Sequence, residues 1–219
     1  EGRTVYDNIM KVIAWTLPTN GGESIIVVAA ILFGWLLPIT PLQILWINMI
    51  TAVTLGLTLA FEPTEPGTMR RPPRAPDEPI LSRFLLWRIA FVSLLFVIGT
   101  FWMFYWALER GASVDEARTV AVNTIVVLEI FYLFSVRYID AASMTLIGVV
   151  GTPPVLIALG IVIVAQFIFT YVPLMHLLFA TQPVSFSDGI AILAVGIALF
   201  LVLEIEKAIR RRFRQSSAD

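Results

Sequence analysis

Pro154-Val155-Leu156-Ile157-Ala158-Leu159-Gly160-Ile161-Val162-Ile163-Val164-Ala165-Gln166-Phe167-Ile168-Phe169-Thr170-Tyr171-Val172 carries no charged residue and is apolar on every side. About 20 such residues let a helix cross the hydrocarbon core of a bilayer. A barrel strand would alternate in polarity, and a helix lying on the membrane surface would keep a polar face. This stretch does neither. It sets the frame for the whole 219-residue chain, in which hydrophobic residues make up 58% and charged residues only 14%. Soluble domains run near one half and one quarter. Water is the wrong solvent for this sequence.

Five more stretches of the same kind flank it, so that spans are expected at about 10–37, 42–61, 89–108, 120–136, 154–172 and 190–206. The expected fold is an all-α membrane protein, a bundle of six transmembrane helices in one domain over 1–219. The connections orient it. Thirteen basic residues, among them Arg3, Lys11, Arg88, Arg137 and the tail cluster Lys207–Arg214, lie on one side, against Arg110 and Arg118 on the other. The positive-inside rule then places both termini in the cytoplasm. The loop 62–83 is rich in proline and arginine, which predicts a stiff non-helical strap on the cytoplasmic face. Its arginines suit lipid headgroups. The basic C-terminal tail covers 207–219 and is expected to be disordered from Gln215 onward.

Composition excludes several functions. The net charge of −1 offers no basic field for nucleic acid. No cysteine and a single histidine, His176, leave no thiolate or multi-histidine metal site. The start at Glu1-Gly2-Arg3 has no secretory signal, and the chain is expected to begin inside a longer polypeptide.

Ionisable groups inside a membrane cost about 2.5–3.5 kcal/mol each on insertion scales, so each asks for a reason. Two acids lie well inside a span, Glu23 and Glu129. Glu23 ends Leu17-Pro18-Thr19-Asn20-Gly21-Gly22-Glu23, where Pro18 cannot donate to the Ala14 carbonyl and two glycines follow. The first span is therefore expected to be interrupted near Pro18–Gly22, exposing carbonyls beside a carboxylate as a dehydrated cation requires. Asn20 and Glu23 are three apart and share a face, as do Asn48 and Thr51 in the second span. Amides, a hydroxyl and carboxylates are hard oxygen donors, suited to calcium, magnesium or alkali ions. The same residues could instead be structural: a protonated Glu23 bonded to a neighbour, or Asn48 and Thr51 as interhelical glue. Glu204 and Glu206 are expected at the interface near Lys207 and Arg210, Gln166 in an interhelical hydrogen bond, and His176 in an exposed loop.

These motifs resemble a known family. Glu1-Gly2-Arg3 with Tyr6-Asp7-Asn8 is similar to the stalk entering the fifth transmembrane helix of type II P-type cation-transporting ATPases, the calcium-pump-like group. Asn20-Gly21-Gly22-Glu23 resembles that helix's cation-binding N-x-x-E. Leu45-Trp46-Ile47-Asn48-Met49-Ile50-Thr51 resembles the sixth helix's L-W-x-N-x-x-T. Phe61-Glu62-Pro63 and Met69-Arg70-Arg71-Pro72-Pro73-Arg74 resemble the loop beyond it, and Glu129 is similar to an acidic ligand on the eighth helix.

The resemblance implies the fifth to tenth helices of a pump, with Asn20, Glu23, Asn48, Thr51 and Glu129 as ligands of the transported cation. It also implies a multi-pass protein of the plasma (inner) membrane, in contact with lipid. The missing N-terminal helices and cytosolic ATPase domains of the same polypeptide would be its partners. Calcium pumps of this group carry an aspartate after the sixth-helix threonine, and here Ala52 stands there. A single divalent ion, or monovalent ions or protons, fits that loss better than two divalent ions. No catalytic or cofactor-binding residue is expected in this chain. Phosphorylation and nucleotide motifs are absent from the sequence, so ATP and Mg would act in the full-length pump. The alternatives are a six-span channel or secondary transporter, or a membrane domain that only braces its neighbours.

Overall fold

The computed structural model describes residues 2–64, 80–137 and 152–216. Helix α1 spans Gly2–Phe33. Helix α2 spans Pro41–Thr51, widens into a π turn over Ala52–Gly56 and closes in a 3-10 turn over Leu59–Phe61. Then come α3 (Arg83–Glu109), α4 (Val114–Val136), α5 (Pro153–Tyr171), the short α6 (Pro173–Phe179) and α7 (Phe186–Ser216). Among the described residues there is no strand, and six helical segments are long and apolar enough to cross a membrane. Residues 65–79, most of the proline- and arginine-rich loop, lie outside the described residues.

Local chemistry sets the helix ends. Thr40 and Gln43 form a reciprocal capping box before α2, with Pro41 in its first turn. Ser82 and Ser113 accept from Leu85 N and Glu116 N at the starts of α3 and α4. Asp115 and Glu116 in the first turn of α4 favour its early start. Helix α1 ends at Gly34, whose φ of 65° few residues other than glycine adopt. Helix α7 runs unbroken through Gln215 and Ser216, so those two residues are helical rather than disordered as expected. His176 sits on α6 rather than in a loop, its ring nitrogen 3.0 Å from the Thr170 carbonyl.

Helix α3 packs between α1 and α4, and α4 in turn packs on α7. Helix α4 is the hub: 72% of its most apolar window is buried, against 28–39% for the other five spans. A polar group on α4 therefore meets protein rather than lipid.

The first span is not interrupted. Helix α1 is continuous through Pro18, Gly21 and Gly22. The Ala14 carbonyl that Pro18 leaves without a backbone donor accepts instead from the Tyr132 hydroxyl of α4 at 2.6 Å. The Pro18 carbonyl accepts from Ser93 of α3 at 2.8 Å. Neighbouring helices thus re-satisfy the backbone, as membrane helices containing proline require. The irregularity falls in the second span, directly after Thr51. There Thr51, Thr54 and Thr58 each donate a hydroxyl to a carbonyl of the preceding turn, which accompanies the widened helix.

Candidate cation site

Gly21 and Gly22 bring α1 against α3. A Cβ on Gly22 would lie 2.8 Å from the Cβ of Phe96, and one on Gly21 would lie 2.7 Å from the Ser93 hydroxyl. Only bare backbone fits there, which explains two glycines in a helix interior despite their poor propensity. Close packing on α3 fixes the rotation of α1 and aims Glu23 at α2.

Glu23 is 3% exposed. Its Oε2 accepts from Asn48 Nδ2 at 2.6 Å, while the same amide donates to the Ile44 carbonyl at 3.1 Å. Glu129 on α4 is 2% exposed. The Thr51 hydroxyl lies against its carboxyl, and Glu23 is close enough to act on it electrostatically. Glu23 Oε1 and Glu129 Oε2 are buried with no hydrogen-bond partner among the described residues.

The structure thus gathers Glu23, Asn48, Thr51 and Glu129 from three helices. Asn20 is half-buried on α1, one turn before Glu23. Ala52 opens the π turn, its N–H bonded to the Asn48 carbonyl. Two neighbouring carboxyls in a low-dielectric interior cannot both stay ionised without a positive charge between them. Among the described residues no three His, Cys, Asp or Glu side chains converge. A full coordination shell would therefore need amide, hydroxyl and backbone oxygens, and ligands from outside this chain.

Several residues around the site escaped the sequence reading. Trp15 is buried and donates from Nε1 to the Glu129 carbonyl at 3.2 Å, tying α1 to α4 at the height of the acid. Tyr132 and Ser93 hold the backbone around Pro18. The available signal was the proline itself, because a missing N–H implies a donor supplied by another helix.

A second polar layer lies at the basic end of the bundle. Arg137 pairs with Glu62 at 2.7 Å, Arg88 with Glu206 at 3.0 Å and Lys207 with Glu204 at 2.7 Å. Arg88, Arg137, Lys207, Glu62 and Glu204 are buried, and Glu206 nearly so. Glu204 therefore sits inside the bundle rather than at an exposed interface. Its partner Lys207 also reaches the Ser135 carbonyl at 2.6 Å. Gln166 accepts from Trp46 Nε1 at 3.4 Å, the interhelical hydrogen bond expected of it.

Comparison with known proteins agrees with this architecture. The family described as "Cation transporting ATPase, C-terminus" matches residues 36–209. "Probable cation-transporting ATPase F" of Mycobacterium tuberculosis is 46% identical over 96% of this chain and 23% of its own length. "Cation-transporting ATPase pma1" of Synechocystis is 37% identical over 86% of this chain and 21% of its own. "Calcium-transporting ATPase" of Bacillus subtilis is 33% identical over 63% of this chain and 16% of its own. The chain thus spans about a quarter or less of the curated relatives it matches. With six apolar helices and this match over most of its length, the chain is an integral, multi-pass membrane segment that belongs to the cation-transporting P-type ATPases, in their C-terminal membrane region.

Proposed function

We propose that this chain supplies part of the ion site and translocation path of an ATP-driven cation pump. Asn20, Glu23, Asn48, Thr51 and Glu129 are its ligands. The observation that carries the reading is the pair of buried carboxyls on α1 and α4, each with one bare oxygen, bracketed by Asn48 and Thr51 of α2. A helix that widens just after Thr51 supports it, since π turns concentrate at functional sites. ATP and Mg would be handled by parts of the polypeptide outside this chain, and the plasma (inner) membrane is the site of action this reading implies. The chain supplies two deep carboxylates and has Ala52 where a third could stand. One divalent ion, or monovalent ions or protons, is therefore the cargo that best matches the available charge.

The test uses the full-length pump carrying this chain. Glu23→Gln keeps shape and hydrogen bonding while removing charge, and an ionised oxygen is the better cation ligand in a low-dielectric site. Ion-dependent ATP hydrolysis is measured across calcium, magnesium, sodium, potassium and pH. The half-activating concentration of the transported ion should rise at least about tenfold, roughly 1.4 kcal/mol. Asn48→Ala should raise it less, because water can replace a neutral ligand. Unchanged half-activating concentrations for every ion in Glu23→Gln would return Glu23 to a structural, protonated role.

A further inference from the structure

An aromatic recess of about 500 Å³ lies where the turn between α1 and α2 meets the C-terminal half of α3. This is the end of the bundle opposite the basic tail, since Arg110 just beyond α3 pairs with Asp188 in the first turn of α7. Trp35 of the turn forms one wall. The other is a stripe of α3 running from Ile98 through Trp102, Tyr105 and Trp106 to Glu109. Three- and four-residue steps keep that stripe on one helical face. It is about 16 Å long at the helical rise. Its chemistry changes in order along that length, from an aliphatic floor through indole and phenol rings to a carboxylate at the rim.

The rings are held in place by their own contacts. Trp35 follows Gly34 at the end of α1, donates its backbone N–H to the Ala30 carbonyl at 2.8 Å and stacks on Phe33 with centroids 4.9 Å apart. It meets Phe101 edge to face at 5.3 Å and 78°, while Phe101 and Tyr105 lie nearly parallel at 14°. The recess thus has rings in two nearly perpendicular orientations. Trp35 is 48% and Trp102 68% exposed, so a ligand can reach them. The face of an aromatic ring is electron-rich and attracts cations, that of tryptophan most strongly. Trp106 already carries one, the Arg110 guanidinium, 3.8 Å from its ring centroid. The charge of Arg110 is offset by its partner, the buried Asp188. Of the residues that line the recess, Glu109 alone is charged, and it is exposed at the rim.

We propose that this recess binds a single-tailed organic ammonium ion, its alkyl tail along Ile98 and Phe101 and its ammonium group among the tryptophan rings beside Glu109. Charge complementarity selects this occupant. Ring faces and a carboxylate both favour positive charge, and the aliphatic floor favours a tail. A hydrated metal ion would leave the floor unused and find one carboxylate where it needs several oxygen ligands. An anionic amphiphile would set like charge against Glu109. A zwitterionic lipid would bring its phosphate to the same carboxylate. Quaternary ammonium groups are the cations that aromatic cages recognise best, because they shed water easily.

The test is isothermal titration calorimetry of the full-length protein in an uncharged maltoside detergent, with empty micelles subtracted. The probes are hexyltrimethylammonium and its uncharged tert-butyl analogue, in which carbon replaces nitrogen. The ammonium probe should bind at least about tenfold more tightly than the analogue, as contact with several rings implies. Glu109→Gln should weaken the ammonium probe about threefold, the scale of an exposed charge pair, and leave the analogue unchanged. Trp102→Leu, which keeps an apolar side chain but removes the ring, should weaken it about three- to fivefold. Both positions are exposed, so the melting temperature should hold in each variant. Equal affinity for the two probes overturns the proposal, as does a preference that survives both substitutions. Displacement of the probe by added dioleoyl phosphatidylcholine overturns it too, because the recess would then hold a lipid headgroup. So does a failure of the ammonium probe to bind at millimolar concentration, which would mean that other parts of the polypeptide cover the rings.

Discussion

Pro18 removes one backbone donor from α1 four residues after Ala14, and the Tyr132 hydroxyl takes its place at 2.6 Å. A buried carbonyl left unsatisfied costs about 1–3 kcal/mol, so Tyr132→Phe should lower stability by roughly that amount. The effect should depend on the proline. Pro18→Ala restores the N–H that Ala14 lacks, and in that background Tyr132→Phe should cost less than half as much. A double-mutant cycle on thermal unfolding of the purified full-length protein checks this. Strictly additive costs would mean that Tyr132 acts elsewhere, through its packing on Phe96 for example. The same contact explains what could and could not be deduced from the primary structure. Glu23 and Glu129 stood out because a carboxyl at membrane depth is expensive wherever it lies. Tyr132, Trp15 and Ser93 did not, because a tyrosine, tryptophan or serine in a membrane helix is ordinary until its partner is known. Those partners lie 118, 114 and 75 residues away. Glu62 and Arg137 were hidden for the same reason, their pairing spanning 75 positions.

At the scale of the elements, all six spans are legible because bilayer thickness dictates their length and hydropathy needs no partner. The interruption expected in the first span failed at this scale. Proline and two glycines weaken an isolated helix, but in the bundle the glycines let α1 and α3 meet and the proline's freed carbonyl is capped by α4. Where the helix does deform, over Ala52–Gly56, Gly56 faces the buried Trp15 ring, 3.2 Å from where its Cβ would be. The apolar pattern of the second span carries no trace of that turn, since a π turn changes register without changing composition. The contact between α1 and α3 gives a direct expectation. Gly22→Ala places a methyl 2.8 Å from the Phe96 Cβ, an atom held by backbone that cannot swing away. Overpacking of this kind costs about 1–3 kcal/mol. The melting temperature should fall, and ion affinity should fall with it because Glu23 is the next residue. A fall in melting temperature with unchanged ion affinity would separate the packing of α1 from the alignment of the site.

On the scale of the whole molecule, charge is sorted twice. Arg88, Arg137 and Lys207 are buried against carboxylates inside the bundle, so they stabilise packing rather than report which side faces the cytoplasm. Setting them aside leaves the surplus of basic residues on their side intact. On the other side, Arg110 pairs with Asp188 and stacks on Trp106, and Arg118 pairs with Asp115. Glu109 and Glu116 lie on that face as well, so it carries no surplus of positive charge. Removing one partner of a buried pair such as Arg137–Glu62 leaves a stranded charge, which is why these residues do not behave as free topology signals. The exposed ones should. Under the positive-inside rule, a single cysteine replacing Arg212 should react with a membrane-impermeant maleimide only from the cytoplasmic side, and one replacing Ser113 only from the opposite side. Intact cells and inverted vesicles containing the full-length protein supply the two sides. Ser113 caps α4 and Arg212 lies 26 residues into α7, so an odd number of crossings must separate them whatever surrounds the bundle. Labelling of both from one side would break the six-span arrangement. Opposite-side labelling with Ser113 cytoplasmic would keep the fold and invert the orientation that its charges dictate.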